Sequence, residues 1–392
     1  MSSGRKKSHL SQPNYLDPLP GLNYVIGWLL VFWEEKLDIS VIIPTRDRID
    51  SLRLCLASIK QSNFSGFEVI VVDDGSKQNC SNVAKEFGYS AIRLNEPCGA
   101  WYARNKGAEL AEGDILVFID DDMVVQPNTL QRIQYLFSQN HYAAISGVCG
   151  LKSDSRYLVT RYKNLWMFYS YIRSPRDFEW FICGMGAVKR DVFFELQGFD
   201  DRFFTRKGGG DLEFGRRLKE AGKQILLDTE LQVEHLQRYT FYGLLRNDFK
   251  RSRGWFQLAV QKKMISSVIH KLRIANIYPA FIISIPVSFI LLFSLIFSLF
   301  YEISLIIALF SAWTYLIINC SQFRFFQKEE GTVFLLKTIP LSWVDHLISG
   351  LGVLTGGISL LGMLIVKAVS RIGWGVDLRG YYRRLVNSRQ YH

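Results

Sequence analysis

The run from Ile277 to Phe300 is almost wholly apolar, and it constrains the fold more than any other stretch of the chain. A helix on a soluble surface keeps one polar face, so a segment of about 20 residues that is apolar all round belongs in a core or a bilayer. After Tyr301-Glu302 a second apolar run, Ile303 to Cys320, begins. Only a tight turn fits between the two, which predicts a helical hairpin. A third region, Val333 to Val366, is interrupted by Lys337, Pro340, Asp345, His346 and Gly350, Gly352, Gly356, Gly357 and Gly362. It reads as a short interfacial helix plus one span, as a re-entrant pair, or as two passes broken at Pro340.

Charge sets the orientation. Lys271 and Arg273 precede the first run, and the tail from Lys367 carries Arg371, Arg379, Arg383, Arg384 and Arg389 against Asp377. Positively charged flanks stay on the cytoplasmic side, so both ends prefer the cytoplasm and the number of crossings is even. The chain is expected to be integral to a plasma or inner membrane, with its soluble part cytoplasmic. The net charge of +11 beside membrane segments suits anionic lipid headgroups. No nucleic-acid module motif is present, and nucleic acid is not an expected partner.

These features divide the chain into residues 1–37, 38–260, 261–320, 321–370 and 371–392. The first is an extension with Arg5-Lys6-Lys7 and the apolar decapeptide Tyr24 to Trp33. Ten residues cannot span, and no small-residue cleavage site follows, so an interfacial or a plain packing helix is expected rather than a removed signal. The six cysteines (Cys55, Cys80, Cys98, Cys149, Cys183, Cys320) show no zinc spacing and read as reduced thiols.

From Ile39 the pattern alternates: strand Ile39–Ile43, helix Asp50–Gln61, strand Phe67–Val72, helix Ser81–Phe87, strand Ala91–Leu94, helix Trp101–Ala111, strand Ile115–Ile119. Alternating β and α segments with short connections predict an α/β domain on a mostly parallel sheet with right-handed crossovers. The polar residues gather at the strand ends, where open α/β sheets bind ligands. Ile43 runs into Pro44-Thr45-Arg46-Asp47-Arg48, Val72 into Asp73-Asp74-Gly75-Ser76, and Ile119 into Asp120-Asp121-Asp122. Three adjacent carboxylates repel one another unless a cation neutralises them, and a hard ion such as Mg²⁺ or Mn²⁺ suits oxygen ligands and phosphates. The plainer alternative is a solvated acidic turn before the helix that follows Pro127. Asp73 at a strand end suits base or ribose hydrogen bonding, or simply forms the turn. Arg104 near a helix start suits a diphosphate, or is a solvated helix residue.

Taken in order, Val-Ile-Ile-Pro-Thr-Arg-Asp-Arg, Val-Val-Asp-Asp-Gly-Ser, Gly99-Ala-Trp-Tyr-Ala-Arg-Asn-Lys-Gly and Phe-Ile-Asp-Asp-Asp resemble the signatures of family 2 glycosyltransferases with the GT-A fold. Phe181-Ile-Cys-Gly-Met-Gly, Gly198-Phe-Asp-Asp-Arg-Phe and Gly210-Asp211-Leu-Glu-Phe-Gly-Arg-Arg-Leu resemble its acceptor-side and catalytic segments. The resemblance covers roughly residues 38–260. It implies nucleotide-base contacts at Asp73 and Asp74 beside Pro44, Thr45 and Arg46. It also implies a DxD motif at Asp120, Asp121 and Asp122, with Asp122 the direct metal ligand, a catalytic aspartate at Asp211, and a metal- or diphosphate-side histidine at His235. Two departures stand out. Gly210 replaces the family's usual Glu before the catalytic Asp, leaving a mobile glycine loop to position Asp211. Arg251-Ser-Arg-Gly-Trp255 lacks the Gln-x-x-Arg-Trp of processive synthases.

The chemistry implied is a single inverting displacement. A divalent ion, Arg104 and Arg251 or Arg253 assist the leaving diphosphate, while Asp211 deprotonates the acceptor hydroxyl. Asp211 also suits the N-cap of a helix Leu212–Ala221. The expected partners are a nucleoside-diphosphate sugar donor, a lipid-linked or glycan acceptor, and membrane lipids. A processive synthase and a catalytically inactive sugar-nucleotide-binding scaffold are the alternatives.

Overall fold

The computed structural model describes residues 39–139, 141–151, 156–201, 209–265, 268, 273 and 276–371. The expectations for Tyr24 to Trp33, for Lys207-Gly208 and for the basic tail beyond Arg371 lie outside the described residues.

Strands β1 (Ile39–Thr45), β2 (Phe67–Asp73), β3 (Ser90–Arg93) and β4 (Ile115–Ile119) alternate with helices α1 (Ile49–Lys60), α2 (Ser81–Glu86) and α3 (Ala100–Leu110). Every residue of β1 and β4 is buried, as unbroken apolar runs covered on both faces require. Helix α1 shows why such segments coil: Leu52, Cys55, Leu56 and Ile59 repeat at helical spacing and are buried, with Asp50 in the first turn and Lys60 in the last. Helix α3 lies close on β1, since a Cβ at Gly107 would stand 2.4 Å from Ile42 Cγ2.

The second half comprises β5 (Met123–Val124), α4 (Thr129–Gln139), β6 (Ala144–Cys149), α5 (Leu158–Ile172), β7 (Met185–Lys189), α6 (Arg190–Glu195), α7 (Gly210–Glu220), β8 (Ile225–His235) and α8 (Phe241–Gln261). The eight-stranded sheet runs β3-β2-β1-β4-β7-β6-β8-β5. The first four strands are parallel, as the alternation predicts. Beyond β4 the sheet is mixed. Strand β7 pairs antiparallel with both neighbours, and β5 pairs antiparallel with β8. A helix, α5, lies between β6 and β7, yet the two strands pair antiparallel. Pro44 is accommodated in a central strand because the β1–β4 pairing ends at Ile42 and Phe118.

Three further helices follow: α9 (Pro279–Phe297), α10 (Glu302–Ile318) and α11 (Cys320–Arg371). Helices α9 and α10 form the expected hairpin, with an unusual division of side chains. Apart from Phe281 and Tyr315, their buried positions are small or polar, Ser284, Ser288, Ser294, Ser304, Ala308 and Ser311, while Leu299 and Phe300 between them are 80% and 74% exposed. Helix α11 breaks at Gly331 (φ 83°, ψ 174°), and Pro340 sits inside the helix. Of the alternatives for this region, the one that broke the helix at Pro340 does not match the kink, which falls at Gly331 in a backbone conformation that favours glycine.

Candidate active site

The loop after β2 is built around two aspartates. Asp73 accepts the backbone N–H of Ser76 at 2.8 Å and of Cys80 at 3.0 Å, one on each oxygen. Asp74 accepts those of Cys98 at 2.7 Å and Gly99 at 2.9 Å. Asp73 is 0% exposed, and both its oxygens hold the shape of the loop. Gly75 takes φ +65° against the Glu96–Pro97 backbone, which closes the same loop onto the start of α3.

The acid triplet after β4 is held differently, by side-chain cations. Asp120, the outermost, is paired with Arg104 of α3. Asp121 accepts the Thr45 hydroxyl at 2.7 Å and lies 3.3 Å from Nη1 of Arg48. The same nitrogen is 2.6 Å from Asp122 Oδ2, and Nε2 of His235 stands 3.6 Å from that oxygen. Pairing of Met123 with His235 across β5 and β8 brings the histidine there. Burial pushes Asp121 up to about 6, against the pull of Thr45 and Arg48. Burial also acts to raise Asp122, but His235 and Arg48 outweigh it and hold that carboxyl below the ordinary range.

Across the cleft, α7 starts at Gly210 after Gly209 in the left-handed conformation. Asp211 therefore falls within the first turn rather than at the N-cap, and its Oδ1 accepts the Leu212 N–H at 2.9 Å. Burial pushes its carboxyl up, partly offset by the Leu212 N–H and by Arg251, Trp180 and Arg104. Arg104 thus lies in the field of both Asp120 and Asp211. Arg251 of α8 lies in the field of Asp248 first, and of Tyr239, Tyr171 and Asp211 after it, whereas the backbone of Arg253 packs on Gly352 and Gly356 of α11. The missing Glu has a steric counterpart, since a Cβ at Gly210 would stand 2.7 Å from the Trp101 indole. Glu213 is sealed among Arg216, Arg217 and Lys262.

Residues 40–195, which carry this constellation except for α7, β8 and α8, match the family model for glycosyl transferase family 2. These residues form a family 2 glycosyltransferase domain. The chain is similar to a glucosyl-dolichyl phosphate glucuronosyltransferase of Haloferax volcanii, 24% identical over 51% of this chain and 69% of that one. It is similar to the glycosyltransferase AglE of the same organism, 26% identical over 56% and 73%. An O-antigen chain rhamnosyltransferase, RfbN of Salmonella typhimurium, is 23% identical over 55% and 70%. Among solved structures it is similar to the mannosyltransferase PcManGT from Pyrobaculum calidifontis in complex with GDP-Man and Mn²⁺, at 16% identity and a TM-score of 0.47, covering 85% of this chain and 95% of that one.

The domain brings Thr45, Asp120, Asp121, Asp122, Arg104 and His235 together at one sheet edge, with Asp211 in the first turn of α7. Pro44 lies buried beneath them, and Arg46 is exposed with its ion pair to Asp47 at 3.9 Å. Arg48, two residues on, is the arginine that reaches the triplet, and sequence reasoning missed it. Its one signal was position: it directly follows a strand-end loop. Among the described residues no three metal-ligating side chains converge into a ready cage. Asp122 and His235 nonetheless suit an Mg²⁺ or Mn²⁺ ion that takes its other ligands from a diphosphate. Nδ1 of His235 is buried with no hydrogen-bond partner, the kind of orphaned polar atom that such an ion or its ligands would satisfy.

Proposed function

We propose that the protein is a membrane-anchored inverting glycosyltransferase. It moves a sugar from a nucleoside-diphosphate donor to a hydroxyl of a lipid-linked or glycan acceptor at the cytoplasmic face. The observation that carries this is the acid triplet at the end of β4, met by Arg104, Arg48 and His235. That is the arrangement a bound divalent ion and a diphosphate require.

In this reading Asp122 and His235 hold a divalent ion, with Asp120 beside them. The ion supplies Lewis-acid neutralisation of the leaving diphosphate. Arg104 and Arg251 add fixed positive charge where that diphosphate's charge develops. Asp211, pushed up by burial, accepts the acceptor's proton as its oxygen attacks the anomeric carbon opposite the leaving group. Asp73 and Asp74 keep the loop in shape for the base, and Thr45 orients Asp121.

The membrane reading rests on the packing of α9 and α10, whose buried positions are mostly serine and alanine, with Phe281 and Tyr315, and whose exposed positions are mostly large and apolar. That is how helices pack in lipid, where exposed leucine and phenylalanine carry no cost. Pro279–Phe297 and Cys320–Gly362 are long and apolar enough to cross. The name of one relative, a glucosyl-dolichyl phosphate glucuronosyltransferase, supports a lipid-linked acceptor.

The test is a screen of UDP-, GDP- and dTDP-sugars for Mn²⁺-dependent thermal stabilisation of the detergent-solubilised protein, followed by transfer assays on the stabilising donor. A bound donor raises the melting temperature by mass action. Stabilisation with transfer and inverted anomeric configuration is expected. Binding without transfer or hydrolysis would leave the scaffold, and long polymeric product would establish the processive synthase.

A further inference from the structure

Two arginines meet the acid triplet, and they are held in opposite ways. Arg104 is paired with Asp120 through a side chain only 5% exposed, and its guanidinium lies 4.8 Å from the centre of the Trp101 ring. It is walled in. Arg48 reaches the triplet from the solvent side, with 49% of its side chain exposed, while the side chains of Asp121 and Asp122 are 7% and 9% exposed. Its Nη1 stands 2.6 Å from Oδ2 of Asp122 and 3.3 Å from Oδ1 of Asp121. One nitrogen therefore bridges two buried carboxylates, as a shared cation would.

The backbone under Arg48 is pinned on both sides. Asp47 takes φ 56°, its N–H donates to Ser76 Oγ at 2.9 Å, and its Oδ1 accepts the Lys77 N–H at 2.6 Å. Those bonds tie the end of β1 to the loop after β2. Arg48 itself is the N-cap residue of α1, and its carbonyl accepts the Leu52 N–H at 3.0 Å. Movement is left to the side chain, a flexible stem with a charged head at the mouth of the site.

The oxygen that Arg48 holds is the one the ion needs. Oδ2 of Asp122 also faces Nε2 of His235 at 3.6 Å, and these two residues are the proposed metal donors. A divalent ion and a guanidinium repel one another at a single carboxylate oxygen. A half-exposed ion pair is weakly held, so the arginine is the partner that yields. Once released, its planar fork fits the oxygens of a diphosphate.

We infer that Arg48 is a resident counter-cation. It neutralises Asp121 and Asp122 before a divalent ion binds, gives up Asp122 to that ion, and then grips the donor diphosphate. The inference rests on the donor reading given above.

The test is calorimetry on the full chain in detergent, with Mn²⁺ alone and then with UDP and GDP at saturating Mn²⁺. A charge-assisted hydrogen bond gained or lost changes an affinity by about tenfold. Arg48→Gln should therefore bind Mn²⁺ alone about tenfold more tightly and the preferred nucleotide about tenfold more weakly. A residue that only shapes the site would lose on both counts. Arg48→Lys keeps the charge and removes the fork, so its Mn²⁺ affinity should stay near that of the unmutated protein while nucleotide binding still weakens. Mn²⁺ affinity that falls or stays level in Arg48→Gln overturns the inference, and so does undiminished nucleotide affinity. Where Arg48→Gln does not fold, undiminished nucleotide affinity in Arg48→Lys overturns it. An unmutated protein that binds neither UDP nor GDP with Mn²⁺ overturns the donor reading itself, and this inference with it.

Discussion

The aspartates after β2 and those after β4 lie at one edge of one sheet, yet they are satisfied in opposite ways. Asp73 and Asp74 spend their oxygens on four backbone N–H groups. Asp120, Asp121 and Asp122 are met by Arg104, Thr45, Arg48 and His235. A backbone amide cannot leave without unfolding its loop, whereas a guanidinium on a flexible stem can swing aside for a ligand. The first pair is frame, and the second group is exchangeable. Asp211 belongs with the second group, because only one backbone N–H fixes it and its other neighbours are side chains.

The difference predicts where substitutions strike. Asp211→Asn should lower transfer by ~10²–10⁴-fold, the usual cost of a general base, with donor affinity and melting temperature nearly unchanged. Normal turnover with a lowered melting temperature would move Asp211 into the frame. Asp122→Asn should weaken Mn²⁺-dependent donor binding by ~100-fold or more, since even an outer-shell partner of a metal site costs ~10–100-fold. Calorimetry with Mn²⁺ and donor checks this, and undiminished binding removes Asp122 from the metal site. Asp73→Asn should show the reverse pattern: a loss of about 1–3 kcal/mol in stability from a buried amide facing an NH₂ group, read by chemical denaturation. If Asp73→Asn and Asp122→Asn destabilise equally, the division between frame and exchangeable acids fails.

Titration sharpens the same contrast with a smaller effect. Asp121 is raised to about 6, so the folded state binds its proton more readily than the unfolded chain does. The stability this provides is full below the ordinary carboxylate pKa and is lost as pH rises through about 6. A cation favours the ionised triplet, so the gain in melting temperature with Mn²⁺ should grow over the rise that costs the cation-free protein stability. A gain independent of pH between 5 and 7 would separate Asp121 from the cation. Thr45→Val, which removes one hydroxyl donor to Asp121, should cost about 1 kcal/mol and shift that transition to higher pH.

How much of this was legible follows from the range of the interactions. Strands β1 to β4 and helices α1 to α3 could be read to within one or two residues, because burial on both faces and helical spacing are local properties. Strand β7 could not be assigned a direction, since its pairing with β4 is set by partners distant in sequence. The approach of His235 to Asp122 depends on the two-residue pairing of β5 with β8, which no local pattern announces; only the family resemblance pointed to that histidine. Arg48 stood in plain view beside Arg46. Which of the two reaches the triplet depends on the turn at Asp47, a non-glycine residue at φ 56° that the letters do not disclose. The hairpin α9–α10 was legible from composition alone, and the Gly331 break was hidden by the more conspicuous Pro340.

The Trp101 ring against Gly210 has a consequence for how this chain can change over generations. A side chain at 210 and the indole at 101 compete for one volume, so neither position drifts independently. A glutamate arriving at 210 first would have to push the ring aside and disturb Arg104, over which the indole lies at 4.8 Å. A smaller residue at 101 arriving first would open a cavity but leave the backbone intact. The order of the two substitutions is thereby biased, and related chains should carry a bulky residue at one of these positions or the other, seldom at both.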